Sequence, residues 1–222
     1  MKKKKKKKRK LKKIFVFIFS ILFIALAIYL LSLIKVRGYY ILDNKYVDEE
    51  TILSTCNLDE DSSYFLTWSF LVNRYCTNNS MIKKVRIDHT KTLELKLHVE
   101  EYKVLFKYEN YAINEIGKKV DPEYEDAPVL VNKVEDKEIY NNFIKKMNKV
   151  DDKILSIISE IKYDPNDVDK ERFLLYMNDG NMVYITLSKI TKVNSYPSIT
   201  KTIENKKGVL YLDYGNYFVP KE

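Results

Sequence analysis

Glycine is scarce in this chain. The 222 residues hold five, at positions 38, 117, 180, 208 and 215. No GxxxxGKS or GxGxxG can be written from them, which excludes a phosphate-cradling nucleotide loop. Histidine is scarcer still: His89 and His98 have no third ligand at metal spacing, so they read as solvated surface groups rather than a zinc centre. No serine stands in a GxSxG elbow, and neither histidine has an acid placed to suggest a triad. Pairs such as Glu100-Glu101 are too ordinary in a chain with 32% charged residues to imply acid/base chemistry. No catalytic residue, cofactor or metal is expected, and the chain is not expected to be an enzyme. Cysteine is limited to Cys56 and Cys76, too few for a disulfide framework. Spacing leaves two readings open, a pair of small hydrophobes or a single bridge.

Acid is absent from the first thirteen residues, where Lys2 to Lys13 carries eleven Lys or Arg. Removing those eleven from 39 leaves 28 cations against 31 Asp and Glu. The remainder is slightly acidic, without the basic patch that nucleic-acid binding needs. Directly behind the block, Ile14 to Ile34 runs without a charge. At about 1.5 Å per residue such a helix covers roughly 30 Å, a bilayer's hydrocarbon thickness. The positive-inside bias puts the block in the cytoplasm and everything from Lys35 onward outside. The lysines would also meet anionic head groups, and an outward compartment permits a disulfide. Ala25-Leu26-Ala27 offers a signal-cleavage pattern, but the run continues through Ile34, longer than a cleavable apolar region, and an uncleaved anchor is the better reading.

The part beyond the anchor suits two modest domains. A strand near Tyr39, a turn at Asp43-Asn44 and a helix capped by Asp48 are expected first, with Val47 and Ile52 as a hydrophobic staple. The aromatic run from Tyr64 to Tyr75 suits a second short helix. Val85 and Ile87, then Leu93, Leu95, Leu97 and Val99, alternate with polar neighbours and predict two strands with one buried face. Lys103 to Val131 reads as further strands, interrupted at Asn114 to Gly117, Pro122 and Pro128. Ile139, Phe143 and Met147 predict one helix; Ile154, Ile157, Ile158 and Ile161 predict another. RFLLYM (172–177) and MVYITL (182–187) flank the turn Asn178-Asp179-Gly180-Asn181 and predict a hairpin. Ser188 to Asn205 reads as helix interrupted at Pro197, and GVLYLDYGNYFV (208–219) as one last strand.

Five stretches also follow a recurrent pattern. ILDNKYVDEETI (41–52) looks like V-x-G-N-x-x-V-s-x-x-x-I, with Asp43 where glycine is usual. MIKKVRIDHTKTLELKLHVEE (81–101) looks like w-I-x-x-a-x-V-x-r-x-x-P-n-T-l-x-I-x-V-x-E, with Lys91 near the usual proline. NYAINEIGKKV (110–120) looks like l-I-D-x-x-G-x-v, APVL (127–130) like l-P-x-l, and FLLYMNDGNMVYI (173–185) like l-x-L-x-d-G-x-x-V-x-l. In this order and spacing the chain resembles the FtsQ/DivIB family of bacterial cell-division proteins over nearly its whole length.

The resemblance implies an α+β protein: a cytoplasmic basic tail (1–13), a transmembrane helix (14–34), a POTRA domain of order β-α-α-β-β (35–106), and a second α+β domain (107–222). The second domain's sheet would be mostly antiparallel and end in an edge strand. It further implies a non-enzymatic divisome scaffold at the septum, binding FtsL-like and FtsB/DivIC-like proteins and supporting septal wall synthases indirectly. Membrane lipids would meet the tail and anchor, and no nucleic acid is expected. An uncovered edge can accept a partner's strand through main-chain hydrogen bonds. The aromatic terminal run therefore puts the partner contact on Tyr214, Asn216, Tyr217, Phe218 and Val219. The alternatives are a POTRA-type transport or assembly factor and a membrane-tethered extracytoplasmic hydrolase.

Overall fold

The computed structural model describes residues 2–121, 127–204 and 206–221, with side chains from residue 12 onward. The break expected at Pro122 and the end of the helical stretch at Asn205 lie outside the described residues. The chain divides into two compact units, 1–101 and 102–222.

The first unit opens with a single helix, α1 (Lys2–Ser32). Its stretch Lys12–Ser32 has a mean hydropathy of 3.0 and is long and apolar enough to cross a membrane. Then come β1 (Gly38–Leu42), α2 (Glu49–Thr55), α3 (Ser69–Cys76), β2 (Ile82–His89) and β3 (Glu94–Glu101), the strand–helix–helix–strand–strand order expected of a POTRA domain. β3 lies in the middle of the sheet, parallel to β1 and antiparallel to β2.

Local chemistry explains most of these boundaries. The Thr51 amide donates to the Asp48 carboxylate at 2.8 Å, and that backbone hydrogen bond holds the carboxyl below the usual carboxylate range. Val47 and Ile52 on either side of this cap are both buried, as a staple requires. Leu95, Leu97 and Val99 line the core with Val85 and Ile87. Leu93 does not join them, because it takes a left-handed conformation (φ 65°) in the turn that reverses the chain. The aromatic run is helical only from Ser69; Tyr64 to Trp68 forms the turn that leads in.

Two devices close this unit. Cys56, the residue that caps α2, and Cys76, the last residue of α3, are both buried and joined as a disulfide. Along β2 the Asn73 side chain donates to the Val85 carbonyl and accepts from its amide, both at 2.7 Å. Ser69 Oγ accepts from the Ile87 amide at 2.8 Å. The outer side of β2 is thus occupied by side chains of α3.

The second unit contains β4 (Val104–Tyr108), β5 (Tyr111–Asn114), β6 (Lys119–Val120), β7 (Val129–Leu130), α4 (Lys137–Met147), α5 (Asp152–Leu155), β8 (Ile158–Tyr163), β9 (Arg172–Met177) and β10 (Met182–Thr186). A 3-10 helix (Leu187–Ser195), α6 (Tyr196–Thr202), β11 (Gly208–Tyr211) and β12 (Tyr217–Pro220) complete it. One sheet holds all nine strands in the order β12-β11-β10-β9-β8-β7-β4-β5-β6. Its pairings are antiparallel except β10–β11, β8–β7 and β7–β4. Phe106, Phe143 and Phe173 are fully buried, with the rings of Phe143 and Phe173 stacked at 4.6 Å.

Two expectations are corrected here. The isoleucines at 154–161 do not form one helix: α5 stops at Leu155, and Ile158 and Ile161 belong to β8. A register shift between Ile158 and Glu160 turns the strand, so two buried residues fall three apart and imitate a helical period. The final run is two strands rather than one, β11 and β12, joined through Asp213 to Asn216. The interruption expected at Pro197 falls where the 3-10 helix (Leu187–Ser195) gives way to α6, and the proline stands in the first turn of α6, where its missing N–H costs nothing.

Candidate functional site

Chemistry-bearing side chains are dispersed. Among the described residues no group of three or more His, Cys, Asp or Glu could hold a metal. His98 lies between Asp43 (2.8 Å) and Asp88 (3.4 Å) on the sheet surface, and His89 Nε2 meets the Tyr64 carbonyl at 2.8 Å. The distinctive surface is the hairpin of β11 and β12.

A buried polar network seats that hairpin. Asn181 accepts from the Gly208 amide at 2.8 Å and donates to Tyr196 Oη at 2.8 Å and to Asp179 at 3.0 Å. Tyr196 in turn donates to Asp179. Burial, with the Asp179 charge adding to it, pushes the Tyr196 hydroxyl far above its usual range. Gly208 is required by approach: a Cβ there would stand 2.1 Å from the Val219 carbonyl oxygen. Only a residue without one lets β12 lie this close.

Side chains then divide between two faces. Tyr184, Tyr211 and Tyr217 stack across β10, β11 and β12, with centroids 5.2 and 4.7 Å apart. The Arg172 guanidinium lies 3.8 Å over the Tyr184 ring and bonds Asp164 (2.7 Å) and Asp213 (2.9 Å). Burial alone would lower the Arg172 pKa, but the hydrogen bond and charge of Asp213, with Asp164, raise it. On the opposite face Phe218 packs onto the core beside an apolar groove lined by Ile199, Ile203, Leu210 and Leu212.

The five residues expected at a partner contact are therefore not equivalent. Tyr217 and Val219 share the exposed face, 52% and 46% accessible, while Phe218 is half-buried on the other. Tyr214 is exposed in the connecting turn. Asn216, also in the turn, accepts from Lys192 Nζ at 2.9 Å. Sequence reading missed Arg172, Tyr184, Tyr211 and Asn181. The tyrosines are brought together only by strand register, and Asn181 was legible merely as a turn residue.

Among the described residues β12 pairs on one side only, with β11. The Lys221 amide donates to the Lys207 carbonyl, and in antiparallel pairs bonded and non-bonded positions alternate. By that alternation Tyr217 and Val219 direct their main-chain groups to β11, while Phe218 directs its N–H and C=O outward. Pro220 has no N–H to offer. The open edge thus presents one donor, at Phe218, flanked by carbonyls.

Comparison with known proteins gives a consistent set of relatives. The cell division protein DivIB of Bacillus cereus is 30% identical over 199 residues, covering 82% of this chain and 75% of that protein. DivIB of Geobacillus kaustophilus is 27% identical over 213 residues (90% and 80% covered), and that of Bacillus subtilis 28% over 196 (83% and 73%). No family model matches the chain. Among solved structures, the major extracytoplasmic domain of DivIB from Geobacillus stearothermophilus, in its trans isomer, covers 48% of this chain and 97% of its own, at 24% identity and a TM-score of 0.40.

Proposed function

This chain belongs to the FtsQ/DivIB family of bacterial cell-division proteins, and from that premise we propose that it is a membrane-anchored, non-enzymatic scaffold of the division machinery. In this reading α1 crosses the membrane with the basic block in the cytoplasm, and both units lie outside at the septum. The outer units bind FtsL-like and FtsB/DivIC-like proteins and so support septal wall synthesis. Binding is the whole mechanism: an incoming strand adds to β12 through Phe218, with Tyr217 and Val219 anchoring it on one face.

The observation that supports this most is the one-sided pairing of β12, an exposed edge carrying two large apolar side chains and an outward amide. Strand addition draws on such main-chain groups. Phe218→Pro removes the outward donor, whereas Tyr217→Pro removes one that pairs with β11. In pull-downs of the detergent-solubilised full chain, Phe218→Pro should lose the FtsB/DivIC-like partner while Phe218→Ala, which drops the same core-packed ring but keeps the amide, retains it. Tyr217→Pro should loosen the hairpin itself. Full partner recovery with Phe218→Pro would rule out strand addition at β12.

A further inference from the structure

The turn before α3 is bound to the end of the apolar helix. Ser62 accepts from the Val36 amide at 3.0 Å and the Tyr64 amide donates to the Ile34 carbonyl at 2.9 Å, while Ser63 and Lys35 form a bridge. This pairing is antiparallel. As the chain runs from Ser62 to Tyr64 it therefore descends from the level of Val36 to that of Ile34. Ser63 Oγ reaches further, donating to the Leu31 carbonyl at 3.0 Å, one turn back along α1.

The chain continues through Phe65, Leu66, Thr67, Trp68, Ser69 and Phe70. Thr67 bonds back to Ser63 through its amide at 3.1 Å, so these residues coil in place rather than extending away. Tyr64 is buried, its hydroxyl donating to the Thr90 carbonyl. The His89 ring stands 4.9 Å from Tyr64 and 5.5 Å from Trp68. The segment is therefore held to the sheet. Even so, Phe65, Trp68, Phe70, Leu71 and Tyr75 are all exposed, Phe70 to 67%. An exposed apolar patch of this kind marks a contact. Tryptophan and tyrosine with one apolar and one polar end favour the head-group layer of a bilayer.

We propose that this aromatic patch lies in the head-group layer of the same membrane that α1 spans, so that the first unit rests on the bilayer instead of hanging from a free tether. The inference rests on the reading of α1 as a membrane span. Its occupant is lipid because the patch is continuous, through four hydrogen-bonded or bridged positions, with the last turn of that span. Asp59, Glu60 and Asp61 precede the turn, and the Asp61 carbonyl accepts from Lys35 Nζ at 2.5 Å. These acids lie on the Val36 side of the pairing, away from the bilayer, so the patch does not carry them into anionic lipid.

Trp68 is the chain's one tryptophan and so reports on its own position. The full chain is reconstituted into phosphatidylethanolamine/phosphatidylglycerol vesicles, floated after an alkaline carbonate wash, and examined by fluorescence at one pH, since His89 adjoins the indole. Lipids brominated near the head group should quench Trp68 strongly, and those brominated near the chain ends less. Acrylamide access should fall severalfold against the same chain in guanidinium, and Phe70→Ser should restore part of it. A chain that floats but shows no bromolipid quenching overturns the proposal and leaves the patch to a protein partner. A chain that does not float overturns the anchor reading, and this inference with it.

Discussion

The edge at β2 in the first unit and the edge at β12 in the second are finished in opposite ways. Along β2, the Asn73 side chain holds the amide and carbonyl of Val85 and Ser69 Oγ the amide of Ile87, and a disulfide fastens the helix that carries them. Along β12 no element covers the outward groups among the described residues. Uncovered edges invite unwanted pairing, and proteins usually blunt them. A chain that covers one edge with two dedicated side chains and leaves another open, shortened by Pro220 to a single donor, suits the selective pairing proposed above for the second.

The comparison can be broken most forcefully in the sheet behind β2. Leu95→Asp would bury a carboxylate in a fully enclosed position, costing several kcal/mol. Amide protection in β2 and β3 should vanish while that of β9 and β10 persists. Removing the disulfide by Cys56→Ser with Cys76→Ser frees a loop of 20 residues, worth about 3 kcal/mol in the chain-entropy account. It should lower the melting midpoint of the first unit only. On the open side, Gly208→Ala forces β12 away from β11, at about 1–3 kcal/mol for overpacking, and is read as lost protection at Val219 together with lost partner capture.

Asn73→Ala sharpens the contrast. It strips the Val85 amide and carbonyl of their partners, about 1–3 kcal/mol if water does not replace them, and converts a covered edge into an open one. Light scattering should then detect more association of the variant than of the parent chain. The smallest effect is expected of Lys96→Ala, on the wet face of β3, within about 0.5 kcal/mol. A change as large as that of Leu95→Asp would mean the strand register is wrong.

Legibility in the sequence follows the same division. β2 and β3 could be read because one face is wet and the other dry, so polarity alternates residue by residue. β8 could not, because a bulge shifted its register until its isoleucines imitated a helix. Nor could the split between β11 and β12, since Leu212, the buried Asp213 and the turn after them continue the apolar and aromatic pattern. The polar clamps were invisible for a different reason. Asn73 on β2, Asn181 on Gly208, and Glu101, which accepts from the amides of Lys45, Tyr46 and Val47 at 2.8 to 3.1 Å, act on backbone distant in sequence and leave no local period. The pairing of Cys56 with Cys76 likewise depends on how α2 and α3 meet. At the candidate site, the aromatic content of residues 214–219 was legible, but which side chains share a face waited on the register of β12.

The parallel pairing of β1 with β3 also sets a timetable. β1 is made first, but its partners begin at Glu94, roughly 55 residues later, and at about 5–20 residues per second that is a wait of roughly 3–11 s. β2 can pair with β3 as soon as a short turn is complete. β1 and β2 thus wait for the same central strand, and a stalled chain ending before Glu94 leaves Tyr39 and Ile41 with no sheet to enter.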